Sequence, residues 1–367
     1  MKILVVGAGF AGAVMARKLA DAGHQILILE SRNHLAGNAF DEFDEHGILV
    51  HRYGPHIFHT QSKKIFDFLS LFTNWRRYEH RVLASVRNKL LPIPINRTTL
   101  SKLYDKEFSE VDAREWFDKV RVPADHPKTS EEVVLNSVGI ELCDLFFRGY
   151  TQKQWGLSLS ELSAGVAARI PTRTNDDDRY FTDEYQAMPS EGYAKLFEKL
   201  LDHPAIQVKL STDYFQFQDK SSFGHTVYSG PIDRYFKFTY GHLPYRSLNF
   251  VMKNFTDIDS FQPAATINHP NEFDFTRVTE MKKLTGQICP GTTLVYEFPM
   301  DSGEPFYPIP TKTNEALYKK YQLLVDEEVN VTFVGRLAEY RYFNMDQVVG
   351  SALDKSEKLI KKLSEYE

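Results

Sequence analysis

The chain of 367 residues is 42% hydrophobic and 25% charged with a formal net charge of -5, which supplies core material for two or three packed domains and excludes a disordered chain. Charges of both signs are interspersed, so nucleic acid is not an expected partner, and any anionic ligand must be held by a few placed arginines. The two cysteines, Cys143 and Cys289, lie far apart without C-x-x-C or zinc spacing, so neither a disulfide nor a metal is expected. No apolar run approaches the ~18 residues of a membrane span and no leader-like segment precedes the first apolar run, which reads as cytoplasmic.

From the second residue the chain reads KILVVGAGFAGAVMARKLADAGHQILILE, a buried strand over Ile3 to Val6, a glycine turn, a helix over Ala13 to Ala22 and a second strand over Ile26 to Leu29. Gly7, Gly9 and Gly12 hold the G-x-G-x-x-G register. The first supplies a tight turn, the second lets backbone approach a pyrophosphate, and the third lets the helix pack closely on the sheet with its positive end toward the phosphates. Gly23 stops the helix. Glu30 then falls where a carboxylate can accept from an adenosine ribose hydroxyl. Together these define a dinucleotide-binding start.

Strand-like pieces follow from Tyr78 to Ile95, interrupted by Pro92 and Pro94, and then a helical stretch from about Thr99 to Ser163. From Tyr185 to Ile232 an α/β texture returns, with YAKLFEKLL as an amphipathic helix and IQVKL and HTVYSGPID as strands. Residues 236 to 310 read as antiparallel strands. The closing VNVTFVGRLAEYRYFNMDQVVGSALDKSEKLIKKL reads as strand, Gly-Arg turn and long amphipathic helix, which returns the chain to the first domain and suits the flavin end of FAD. There is no second glycine fingerprint, so no fused NAD(P)H domain is expected. Most of the 19 Tyr and 27 Phe are expected to be core and sheet packing, with exceptions where a motif surrounds them.

The segments YGPHIFHT (53 to 60), GYTQKQWG (149 to 156), RIPTR (169 to 173), YQAMPSEGY (185 to 193), YSGPIDRYF (228 to 236), PYRSL (244 to 248), EPFYPIP (304 to 310) and GRLAEYRY (335 to 342) occur in unbroken order. Together they resemble the UDP-galactopyranose mutase family along the whole chain. The resemblance implies an α/β fold with a discontinuous Rossmann-like FAD-binding domain (1-77, 190-237 and 318-367), a small helical domain (98-160) and an antiparallel β-sheet substrate domain (78-97, 161-189 and 238-317). It implies FAD, active when reduced, and a nucleotide-sugar substrate whose pyranose ring becomes a furanose, with flavin N5 as nucleophile toward the anomeric carbon while UDP leaves and returns. An external flavin reductant and a possible homodimer through the helical domain come with it.

By the same resemblance Arg169 and Arg277 are catalytic and hold the diphosphate, a task that suits bidentate guanidinium. Tyr307 and Tyr342 touch the phosphates, Tyr150 and Trp155 form a ledge under uridine, and Phe146, Phe147, Tyr180 and Asn268 are further pocket members. His56, assigned a catalytic part, and His59 are flavin neighbours with Arg246, Arg336, Phe10, Asn38 and Met345, beside Gly7, Gly9, Gly12 and Glu30. A protonated His56 would stabilise a reduced, anionic flavin. The polar run TNDDDRY after residue 173, with the loop after Gly156, is expected to act as a lid that carries Arg169 inward.

Three positions depart from the family pattern. Phe306 stands where a tyrosine is expected, Asn344 where an aspartate is common, and Ala36 where a glycine is usual. The first two lie near the expected substrate, so the sugar could be galactose, N-acetylgalactosamine or fucose, and the nucleotide UDP or dTDP, with UDP-galactose the default. A flavin oxidoreductase of the amine oxidase or desaturase type is the competing class; it calls for a hydride-donating substrate and an apolar channel, where this sequence has arginines and tyrosines.

Overall fold

The computed structural model describes residues 1 to 365. The first segment holds β1 (Lys2–Val6), α1 (Phe10–Asp21), β2 (Gln25–Leu29), β3 (Asp41–Phe43), β4 (Leu49–His51), β5 (Phe58–Thr60), α2 (Lys63–Ser70) and β6 (Trp75–Arg77). Next come β7 (Val82–Val86) and β8 (Lys89–Ile93), then α3 (Arg97–Tyr104), α4 (Glu110–Val120), α5 (Ser130–Leu142), a π-helical turn (Cys143–Arg148), α6 (Gly149–Trp155) and α7 (Ala164–Ala167). An α/β return follows in β9 (Tyr185–Pro189), α8 (Tyr193–Leu201), β10 (Ile206–Lys209), β11 (His225–Tyr228) and α9 (Ile232–Tyr235). The last part holds β12 (Tyr245–Phe255), β13 (Thr266–Asn268), β14 (Arg277–Glu280), α10 (Met281–Thr285), β15 (Thr292–Met300), β16 (Tyr307–Pro308), α11 (Lys312–Glu327), β17 (Val331–Phe333) and α12 (Met345–Ser364).

A five-stranded parallel sheet in the order β10-β2-β1-β11-β17 is assembled from three separate stretches of the chain, with Ile3 beside His225 and Thr226 beside Val331. Its central strands β1 and β2 are nearly all-apolar and buried on both faces. α1 packs on it through Val14, Met15 and Leu19, and α12 adds Val349, Leu353 and Leu359 to the same core. Gly12 is where helix and turn close up, since a Cβ there would lie 1.9 Å from the Gly7 carbonyl oxygen.

The second sheet has seven strands in the order β16-β12-β15-β14-β13-β7-β8. It was expected to be antiparallel, and it is except where β13 lies parallel to β7, Thr266 beside Val82. The connection between those two strands spans the entire helical region, so no hairpin constrains their direction. The helices begin with capping boxes at Asn96/Thr99, Ser109/Asp112 and Thr129/Glu132. They bury Leu100, Phe117, Val138 and Phe146 against Val82, Val86 and Leu91 of the sheet. Among the described residues no helix is long and apolar enough to cross a membrane.

Candidate active site

Two clefts meet in the middle of the molecule. The first, of about 390 Å³, runs along the carboxyl ends of β1, β2 and β11 and is lined by Gly7, Gly9, Phe10, Glu30, Arg32, Ala36, Gly37, Asn38, Ser229, Gly335 and Met345 among others. Gly9 caps α1 without a side chain, which leaves the first-turn amides pointing at the cleft for an anion. A Cβ on Gly37 would lie 3.0 Å from the Gly9 Cα, and Gly335 has φ 96° with no room for a Cβ against Ala11. Such a cradle of bare backbone fits the pyrophosphate of FAD, and Glu30 borders it. The Glu30 carboxylate also accepts from the amides of Ala8 at 2.7 Å and Arg32 at 2.9 Å, which fixes both turns around it.

The second cleft, of about 590 Å³, lies between the seven-stranded sheet, α6 and the start of α12. Three neighbouring strands set a row of side chains across its floor, because Asn268 on β13 pairs with Arg277 on β14 and Arg277 pairs with Glu297 on β15. Arg277 makes a fork to the buried Glu297, Nε to Oε2 at 2.9 Å and Nη2 to Oε1 at 3.1 Å. Burial works against the guanidinium charge, but the carboxylate outweighs it and holds the pKa above the ordinary arginine value.

The ledge comes from the helical side. The π-turn and α6 place Phe147, Tyr150, Thr151, Gln154 and Trp155 on the cleft, as π-turns often do at functional sites. Gly149 lets this helix touch the 270s loop, where a Cβ would lie 2.6 Å from the Pro270 carbonyl oxygen. Trp155, Tyr307 and Tyr342 form a trio with ring centroids 5.2 to 5.5 Å apart, and Arg169 lies over Tyr342 at 4.3 Å. Burial pushes the hydroxyl pKa values of Tyr150, Tyr180 and Tyr307 up, so each remains a neutral donor.

Asn38, His56, Phe306, Arg336 and Met345 line both clefts and define their junction. His56 Nδ1 lies 2.8 Å from the Gly54 carbonyl, so that nitrogen carries the proton. Burial, with Arg336 and Arg277 adding to it, lowers the His56 pKa to about 4. Without an anion beside it the imidazole thus favours the neutral form, and Arg336 brings a cation to the junction. Its guanidinium is fixed by the carbonyls of Phe306 at 3.2 Å and Phe343 at 2.6 Å.

Of the residues singled out in the sequence, Arg169, Arg277, Phe147, Tyr150, Trp155, Tyr180, Asn268, Tyr307 and Tyr342 line the second cleft. Four stand elsewhere. Phe146 points into the helical core because the π-turn directs Phe147 to the cleft instead. His59 lines the second cleft rather than the first, bonded to Asp183 at 2.8 Å and stacked on Phe181. Arg246 faces neither cleft and holds the carbonyls of Lys153 and Gln154 together with Asp301. Gly12 is packed beneath the turn. Glu297, Gln154, His80 and Arg32 were missed; a single acid inside the apolar run TTLVYEFPM was the available signal for Glu297.

A Rossmann-type cleft joined to a cleft of arginines and tyrosines is the arrangement of a dinucleotide-binding protein with a second, anion-binding site beside the cofactor. A family model for UDP-galactopyranose mutase matches residues 145–342, and one for an NAD(P)-binding Rossmann-like domain matches residues 5–72. A probable UDP-galactopyranose mutase of Klebsiella pneumoniae is 36% identical, the match covering 100% of this chain and 96% of the relative. A dTDP-fucopyranose mutase of Escherichia coli is 35% identical over 98% of each chain. The crystal structure of a reduced UDP-galactopyranose mutase superposes with a TM-score of 0.78 at 16% identity, covering 98% of this chain and 94% of the other, and so shares the fold. The chain belongs to the UDP-galactopyranose mutase family, FAD-dependent isomerases.

Proposed function

We propose that the protein interconverts UDP-galactopyranose and UDP-galactofuranose at the junction of the two clefts. The observation that carries this is the convergence of Arg169 and Arg277 with Tyr307 and Tyr342 in a cleft that opens onto the FAD cleft at His56 and Arg336. FAD, when bound and reduced, supplies the nucleophile that the side chains here lack. The two guanidiniums hold the diphosphate as it departs and returns, and the two tyrosines donate to its oxygens. Phe147, Tyr150 and Trp155 hold the nucleoside, with Tyr180 and Asn268 beside them. Neutral His56 keeps Nδ1–H on Gly54 and presents Nε2 as an acceptor at the junction, while Arg336 supplies positive charge there.

We further propose that the chain divides into a discontinuous FAD domain, a helical domain and a sheet domain. An external reductant, a cytoplasmic location and pairing through the helical domain belong to the same proposal. A second reading, dTDP-fucopyranose as substrate, is favoured by the 35% identity to a dTDP-fucopyranose mutase and by Phe306 at the junction, where a tyrosine hydroxyl was expected. The test is to reduce the purified protein with dithionite and supply UDP-galactopyranose, UDP-N-acetylgalactosamine and dTDP-fucopyranose in parallel. UDP-galactofuranose formed only under reduction supports the primary reading, and preferential turnover of dTDP-fucopyranose supports the second. Absence of any furanose, with bleaching of oxidised flavin by an amine or hydride donor, overturns both.

A further inference from the structure

Gln154 lies on the cleft side of α6 and is only 7% exposed. Its Nε2 hydrogen-bonds the Tyr307 hydroxyl, and its Oε1 is buried with no hydrogen-bond partner among the described residues. An amide kept for structural bonding would use both ends; here only the end toward Tyr307 is engaged. The backbone around it is fixed by one side chain. Arg246 Nε donates to the Gln154 carbonyl at 3.0 Å and Nη2 to the Lys153 carbonyl at 3.1 Å, while the Arg246 backbone pairs with Tyr307 across β12 and β16. One arginine thus holds both the helix that carries the amide and the strand that carries the phenol.

A phenol has one proton to give, and an amide N–H that occupies its oxygen sends that proton elsewhere. Tyr307 borders the cleft that holds Arg277 and Arg169, so its free direction is toward an anion bound between them. We propose that Gln154 is a positioning residue that fixes the Tyr307 hydroxyl as a hydrogen-bond donor to the diphosphate of the nucleotide sugar. The inference rests on the reading of this cleft as the nucleotide-sugar site. The reverse amide orientation would draw the phenol proton back onto Gln154, and a carboxylate at 154 imposes that arrangement.

The test is a double-mutant cycle on the reduced holoenzyme, with UDP as the binding probe and kcat and KM measured on UDP-galactopyranose. Gln154→Met removes the donor at similar volume, Tyr307→Phe removes the hydroxyl, and Gln154→Glu makes position 154 an acceptor. Q154M should keep FAD, weaken UDP by about tenfold and lower kcat/KM at least as much, and Q154E should lose more. The Q154M/Y307F double variant should match Y307F within about twofold, because both changes remove one donor. Independent, multiplicative losses, or a Q154M enzyme that binds UDP as well as wild type, would overturn the proposal. If Q154M loses its flavin, Gln154→Asn takes its place in the cycle. Wild-type enzyme that forms no furanose from UDP-galactopyranose, UDP-N-acetylgalactosamine or dTDP-fucopyranose refutes the nucleotide-sugar reading itself, whereas multiplicative losses in UDP binding refute the role of Gln154 alone.

Discussion

Arg277 and Glu297 form the pair on which the floor of the second cleft depends. Glu297 is buried at 1% exposure and has both carboxylate oxygens on one guanidinium, so removal of the arginine strands a charge away from water. Breaking such a pair costs about 3–5 kcal/mol. Arg277→Ala should therefore lower the melting temperature as well as abolish turnover, and Arg277→Ala/Glu297→Gln should recover most of the stability while remaining inactive. Thermal melts beside furanose assays check this; a double variant no more stable than the single one rejects the account. The arginine was legible in its FDFTRV setting, whereas its partner was not. The cross-strand register that joins them is set by pairing between β14 and β15, which sequence motifs do not encode.

At the scale of elements, the expected lid divides in two. The run Asn175 to Arg179 is tied to its surroundings: Asp176 pairs with Arg97 at 2.7 Å, Asp178 pairs with Arg81 at 2.8 Å, and the Asn96 amide donates to the Asp177 carbonyl at 3.2 Å. Its acidic side chains are engaged in ion pairs. The stretch from 157 to 172 carries only the short α7 and holds Arg169 over Tyr342. Added UDP should slow hydrogen exchange in 157–172 and leave 175–179 unchanged; equal effects in both, or none in either, would remove the lid. Amphipathic α8 and the strand, turn and helix at each end of the chain could be read directly because their apolar spacing is local. α11 was missed because Tyr321 is its one buried residue, which leaves little periodic signal. The parallel match of β13 to β7 depends on residues nearly two hundred apart in sequence.

Across the whole molecule, buried histidines govern the response to acid. Burial lowers His51 and His80 to about 3 and His56 and His225 to about 4, all from 6.5. A pKa depressed on folding gives stability that is complete above about pH 6.5 and drains as pH falls toward the folded value. Asp41, raised by burial to about 6 while it accepts the first amides of α8, works in the opposite sense between its free value of 3.8 and 6. The histidines win. Stability should fall by on the order of 5 kcal/mol between pH 7 and pH 5, and His225→Gln should flatten the slope; a melting temperature unchanged over that range would refute it. The central sheet carries a different consequence. β1 is flanked by β2 and β11, and β17 comes from beyond residue 330, so the cradle for the cofactor closes only after nearly the entire chain has left the ribosome. A nascent chain stalled before β17 should remain colourless, which makes the yellow of bound flavin a reporter of completed translation.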